Sequence, residues 1–147
     1  MSQPVCAIIG AGEGLGRALA AKFASQKFDI ALISRSEAGS AAAIEAAAAV
    51  TANVRFFSAD ATQPDTIESA LAKVADEMDG TDVLIYNARG EFAACEPLDM
   101  TYAALEDIYR IEVVGAFAAA KTVLPAMIKR SCGSIFFSSA TAAYRGS

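Results

Sequence analysis

The sequence predicts an α/β fold: a doubly wound parallel sheet of short strands with helices on both faces. Two observations predict it. Five short runs, near 5–9, 30–33, 54–57, 83–86 and 134–137, are dominated by apolar residues rather than alternating, as in strands covered on both faces. Helix-length segments, several rich in alanine, separate them. Such alternation closes through right-handed crossovers into a parallel sheet. At 147 residues the chain fits one domain.

Each element has its own local signal. The first strand, 5–9, is bounded by Pro4 and Gly10, and the first helix runs over 15–25. The second strand, 30–33, ends in the polar turn Ser34-Arg35-Ser36. A helix over 37–52 follows, its alanines suited to close packing on a sheet. After the third strand, 54–57, a helix over 64–78 has Pro64 in its first turn and Gly80 past its end. The fourth strand is 83–86. A long helix over 102–129 carries Pro125 as a kink or terminator. The fifth strand is 134–137; if the chain ends at Ser147, it is expected at an uncovered edge of the sheet, with Ile135, Phe136 and Phe137 poorly buried.

Composition excludes several classes. Twelve Lys and Arg against 17 Asp and Glu give a net charge of -5, and no basic face is formed, which argues against nucleic acid. The longest charge-free run, 131–144, is too short and too rich in Gly and Ser to span a bilayer, so no membrane partner is expected. The first residues lack the basic segment of a secretory leader. Cys6, Cys95 and Cys132 are far apart, fit no metal spacing and read as reduced, buried thiols of a cytoplasmic protein. The chain has no histidine, which excludes a histidine base within it.

The chemistry concentrates in "GAGEGLG", residues 10–16, between the first strand and the first helix. Helix N-termini present unsatisfied N–H donors and the positive end of the dipole. A diphosphate reaches those donors only where no Cβ stands in the way. The polar turn at Ser34-Arg35 follows about 20–25 residues on, where ribose recognition is expected. Together these features predict a Rossmann-type dinucleotide site.

The spacing from Gly10 is G-x-x-x-G-x-G, and here the sequence resembles the short-chain dehydrogenase/reductase family. Four further stretches match that family in order. They are "SAD" followed by Ala61-Thr62, "YNA" at 86–88, the long "IEVVGAFAAAKTVLPAMIKRSCGSI" and "SIFFSSATA". The resemblance implies hydride transfer between a nicotinamide cofactor and a small-molecule carbonyl or alcohol. It places Gly10, Gly12, Glu13, Gly14, Leu15, Gly16, Ser34, Arg35, Asp60, Ala61, Asn87 and Ala88 around the cofactor, with Asp60 beside adenine. It assigns the catalytic serine to Ser139, with Ser138 as runner-up. The family's Tyr-x-x-x-Lys is expected roughly a dozen residues past the serine, beyond Ser147. The chain therefore reads as the cofactor-binding part of such an enzyme and is expected not to turn over alone. Tyr144 reads as a loop aromatic.

Two positions depart from the family. Its Asn-Ala-Gly turn is Asn87-Ala88-Arg89 here, and Glu112 stands where an Asn is usual. These departures keep a second reading open, a dinucleotide-binding regulatory or interaction module without catalysis. A methyltransferase-like nucleotide binder is a weaker third, opposed by Asn87-Ala88 and Ser138-Ser139. Ser34 and Arg35 favour NADP(H) over NAD(H), since a cation suits a 2′-phosphate and a carboxylate would repel it. Glu13 counts against this, because many NADP-preferring relatives carry a base there. The long helix at 102–129 resembles the family's interface helix and implies a homo-oligomer.

Overall fold

A computed structural model describes residues 3–51, 53–91 and 94–145. Five parallel strands form one sheet: β1 (Val5–Ile9), β2 (Asp29–Ser34), β3 (Val54–Ser58), β4 (Val83–Tyr86) and β5 (Ser134–Phe137). Their spatial order is β3-β2-β1-β4-β5. Ile8 lies beside Leu32 on one side and Ile85 on the other. The chain winds outward from β1 to β3, then returns to β4 on the other side of β1. The sheet therefore changes winding direction between β1 and β4, and the carboxyl ends of those strands diverge.

Successive side chains of each strand go to opposite faces. On one face Cys6, Ile8, Ile30 and Leu32 meet Ala20 and Ala24 of helix α1 (Leu15–Ser25) and Ala43 and Ala47 of helix α2 (Ala41–Ala48). On the other, Val5, Ala7, Ile9, Ala31 and Ile33 meet Ile67, Leu71 and Val74 of helix α3 (Pro64–Met78). The same face takes Ala116, Ala119, Val123 and Met127 from helix α4 (Tyr102–Lys129). Ile8, Ile30, Leu32 and Ile33 are fully buried, each contributing about 1.5–3 kcal/mol relative to exposure. Burial also pushes the Cys6 thiol up to about 12.

Helix α4 is one continuous rod with a defect. Thr101 caps it by accepting from Ala104 N–H at 3.1 Å. It is α-helical over Tyr102–Tyr109 and Ala116–Lys129, with a π-helical segment at Arg110–Gly115 between them. Pro125 neither ends nor visibly interrupts it, since the helix runs on to Lys129. By length and composition α4 could cross a membrane, although Glu112 and Lys121 interrupt its apolar run. Its small-residue face lies on the sheet.

Other sequence expectations shift. The helix expected over 37–52 begins with a 3₁₀ turn, Ala38–Ser40, and is α-helical only over Ala41–Ala48. Buried Ser40 explains the late start: its hydroxyl lies 2.7 Å from that of Ser34, so the turn is tied to β2. The expected end at Ala52 lies outside the described residues. Cys95 and Cys132 are exposed rather than buried, being in loops off the sheet. Tyr144 sits in a one-turn helix, α5 (Ala142–Arg145), and is exposed. Phe136 and Phe137 of β5 are half exposed, whereas Ile135 packs against the core.

Candidate functional site

A crevice of about 1500 Å³ opens where β1 and β4 part. Ligands of doubly wound sheets bind at this switch point, outside the carboxyl ends of the strands. Its walls come from five places: the glycine loop, the turn after β2, residues 59–62 after β3, the segment after β4, and the end of β5. The π-helical segment of α4 closes one side, through Ile111 and Glu112.

The four loop glycines divide into two kinds. Gly10 has φ +88, and a Cβ there would come within 2.5 Å of Ala88 N and 2.6 Å of the Asn87 carbonyl carbon. A Cβ on Gly16 would come within 2.7 Å of Ala11 Cα. Those two are bare because backbone passes against backbone. Gly12 and Gly14 have nothing within 4 Å of a Cβ, yet both line the crevice. Their bareness leaves open space rather than relieving a clash.

That space faces donors. Helix α1 has Gly14 as its N-cap, with no side-chain cap and no acidic residue in its first turn. The loop is closed by Gly12 N–H donating to the Gly10 carbonyl (3.0 Å) and Arg17 N–H to the Gly12 carbonyl (2.9 Å). The N–H groups of Gly14, Leu15 and Gly16 have no acceptor among the described residues. Three free donors at a helix N-terminus beside two bare backbones fit a diphosphate. Leu15 is on the wall; Glu13 is exposed and is not. Glu13 is exposed, as its neighbours Gly14 and Leu15 are.

At the β2 end, Ser34 directs its hydroxyl to the Ser36 carbonyl at 3.0 Å, so Ser40 donates to Ser34. The Ser34 proton is therefore spent on shaping the turn. Exposed Arg35 and Ser36 stand on the wall. The Ser36 oxygen accepts from Gly39 N–H at 3.2 Å, which leaves its proton for a ligand. Ser36 was not singled out from sequence; its place in the polar turn was the available signal.

Asp60 lies across from Arg35. Its Oδ1 accepts from Thr62 N–H (2.9 Å) and from the Thr62 hydroxyl (2.8 Å). Those two bonds, with a smaller contribution from Arg35, hold its carboxyl below the usual range despite some burial. The Asp60 N–H is in turn tied to Thr66 Oγ1 at 2.9 Å. The result is a rigid carboxylate at the crevice edge, with Ala61 and Thr62 beside it.

Asn87 bridges the two central strands: its N–H donates to the Ile9 carbonyl (2.8 Å) and its side-chain amide to the Gly10 carbonyl (3.0 Å). It thereby fixes the glycine loop as well as lining the crevice, together with Ala88 and Arg89. Ser138 continues the sheet by donating its N–H to the Tyr86 carbonyl at 2.9 Å. Both Ser138 and Ser139 reach the wall. Every sequence-predicted site residue except Glu13 thus converges on one crevice.

This chain belongs to the short chain dehydrogenase family, whose model matches residues 4–147. A peroxisomal 2,4-dienoyl-CoA reductase of Danio rerio is 30% identical over 99% of the chain and 49% of its own length. The structure of NAD+-bound xylitol dehydrogenase superposes with a TM-score of 0.92 at 25% identity, covering 99% of this chain and 56% of that one. L-Sorbose reductase from Gluconobacter frateurii, solved with NADPH and L-sorbose, superposes at 0.88 and 22% identity over 99% of this chain and 55% of its own. The sheet is thus of the Rossmann type found in this family. The chain spans about half the length of the curated relatives it matches.

Proposed function

We propose that the chain forms the cofactor-binding part of an oxidoreductase that prefers NADP(H) and interconverts a small carbonyl and its alcohol. The observation that carries this reading is the pairing of bare Gly12 and Gly14 with three free N–H donors at the sheet's switch point. The bound nicotinamide would supply or accept the hydride. The chain's own residues hold and orient. The loop N–H groups take the diphosphate, Asp60 and Ala61 border adenine, and Asn87 keeps the loop in place. Ser139 is the donor to the substrate oxygen, where charge changes during the reaction. The reading assigns no residue of this chain to the family's Tyr and Lys, and so names no proton-exchanging acid here.

Preference for NADP(H) rests on Arg35 and the free Ser36 hydroxyl, with no carboxylate in the Ser34-Arg35-Ser36 turn. Arg35→Asp is expected to weaken NADPH about tenfold or more, through loss of a charge-assisted contact, and to leave NADH unchanged or improved. Titrations followed by reduced-cofactor fluorescence measure both. Equal losses for the two cofactors would reject the assignment.

A regulatory module without catalysis is the second reading, favoured by Glu112 and Arg89 on the wall beside Ser139. The two readings part on one assay: turnover of any carbonyl by the full-length protein supports the enzyme.

For assembly we infer a second copy of this chain on α4. Leu105, Tyr109, Val113, Phe117, Leu124 and Ile128 are exposed along it, a larger apolar stripe than soluble monomers usually leave open. Phe117→Glu should convert a sedimenting oligomer to monomer; a parent that is monomeric at high concentration contradicts this. The free Cys6, Cys95 and Cys132 and the docked face of α4 suit a cytoplasmic protein without a membrane or nucleic-acid partner.

A further inference from the structure

The π-helical segment Arg110–Gly115 is the least regular part of an otherwise continuous helix, and π-bulges recur at functional sites. Two hydrogen bonds tie it to the rest of the molecule, one made by its own Arg110 and one by Tyr86. Arg110 donates through Nε to the Thr62 carbonyl at 2.6 Å. Tyr86, the last residue of β4, donates its hydroxyl to the Ile111 carbonyl. Gly115 closes the segment directly against that hydroxyl, since any Cβ at this position would overlap it and would stand 3.0 Å from the Ala61 carbonyl. Consecutive residues thus register opposite walls: Tyr86 holds the π segment, and Asn87 holds the glycine loop through the Gly10 carbonyl.

We propose that Tyr86 is a positioning residue, whose hydroxyl pins the π-helical segment through the Ile111 carbonyl and so sets where Glu112 stands against a bound ligand. Glu112 follows Ile111, is exposed and lines the same crevice as Asn87 and Ser139. Arg110 precedes it on its own helix, and the other charged residues of the crevice are Arg35, Asp60, Arg89, Glu91, Asp99 and Asp107. Tyr86 is buried, and its hydroxyl is pushed up to about 12, first by burial and then by the charge of Glu112. Glu112 and Tyr86 therefore feel one another. The claim on the ligand rests on the oxidoreductase reading; the claim of pinning does not.

Tyr86→Phe keeps the ring and removes the bond. Hydrogen exchange in the ligand-free protein should then quicken at 110–115, on the order of tenfold, and not along α3. Glu112→Gln should leave exchange unchanged and bring the high-pH tyrosine ionisation of the parent down toward the ordinary range. In the NADPH complex, either variant should alter nicotinamide emission, and the double variant should add nothing to the larger single change. Exchange at 110–115 that is unchanged in Tyr86→Phe, or quickened equally throughout, overturns the pinning. Emission changes that add in the double variant overturn the coupling to Glu112. Should the parent bind neither NADPH nor NADH, the oxidoreductase reading fails, along with the ligand role drawn from it; exchange still decides the pinning.

Discussion

Gly10→Ala is expected to destabilise the protein by about 2–5 kcal/mol, combining a left-handed penalty of about 1–2 kcal/mol with an overpacking cost of about 1–3 kcal/mol. Gly10 sits at φ +88, where side chains with a Cβ are disfavoured. The added methyl would also meet the backbone of Asn87 and Ala88 at 2.5–2.7 Å, and backbone cannot rotate aside as a flexible side chain can. The only relief is to part β1 from β4 at their carboxyl ends. That would stretch the bond from Asn87 to the Gly10 carbonyl and open the crevice at its hinge. Urea unfolding monitored by circular dichroism measures the loss. A change below about 0.5 kcal/mol, the range of an ordinary surface substitution, would show that the loop yields more readily than this packing implies.

Gly12→Val should do the reverse. Nothing lies within 4 Å of a Cβ at Gly12, so the unfolding midpoint should shift by no more than about 0.5 kcal/mol. The side chain would occupy the space before the free N–H groups of Gly14, Leu15 and Gly16. Loss of one or two hydrogen bonds to a charged group, each about 1.5–3 kcal/mol, predicts NADPH binding weaker by tenfold to several hundredfold. NADH should weaken by a similar factor, because both cofactors share the diphosphate. This separates Gly12 from Arg35, whose replacement is expected to discriminate between them. A variant that is stable and binds both cofactors normally would remove the loop from the site.

The sheet was legible because its signals are local. Unbroken apolar runs mark β1, β4 and β5, and Pro64 with the Asp79-Gly80 turn marks the ends of α3. The crevice was legible because glycine spacing at a strand–helix joint has few physical uses. What escaped was made by tertiary contact. The late start of α2 depends on a hydroxyl pair between Ser34 and Ser40, six residues apart. The π segment in α4 shows no Gly-Pro signature at Arg110; it is held by Tyr86, 25 residues away along the chain. Ser36 gained its place because Ser34 spends its own proton inside the turn.

The account stands on a diphosphate lying against the main chain of residues 12–16. The most direct test is an NADPH titration of the isotopically labelled protein, followed through its backbone amide resonances. The amides of Gly14, Leu15 and Gly16 should move first and furthest, and inorganic pyrophosphate should reproduce their shifts without those at Arg35 and Asn87. Saturable NADPH binding that leaves those three amides in place, or no binding at all, would contradict the account.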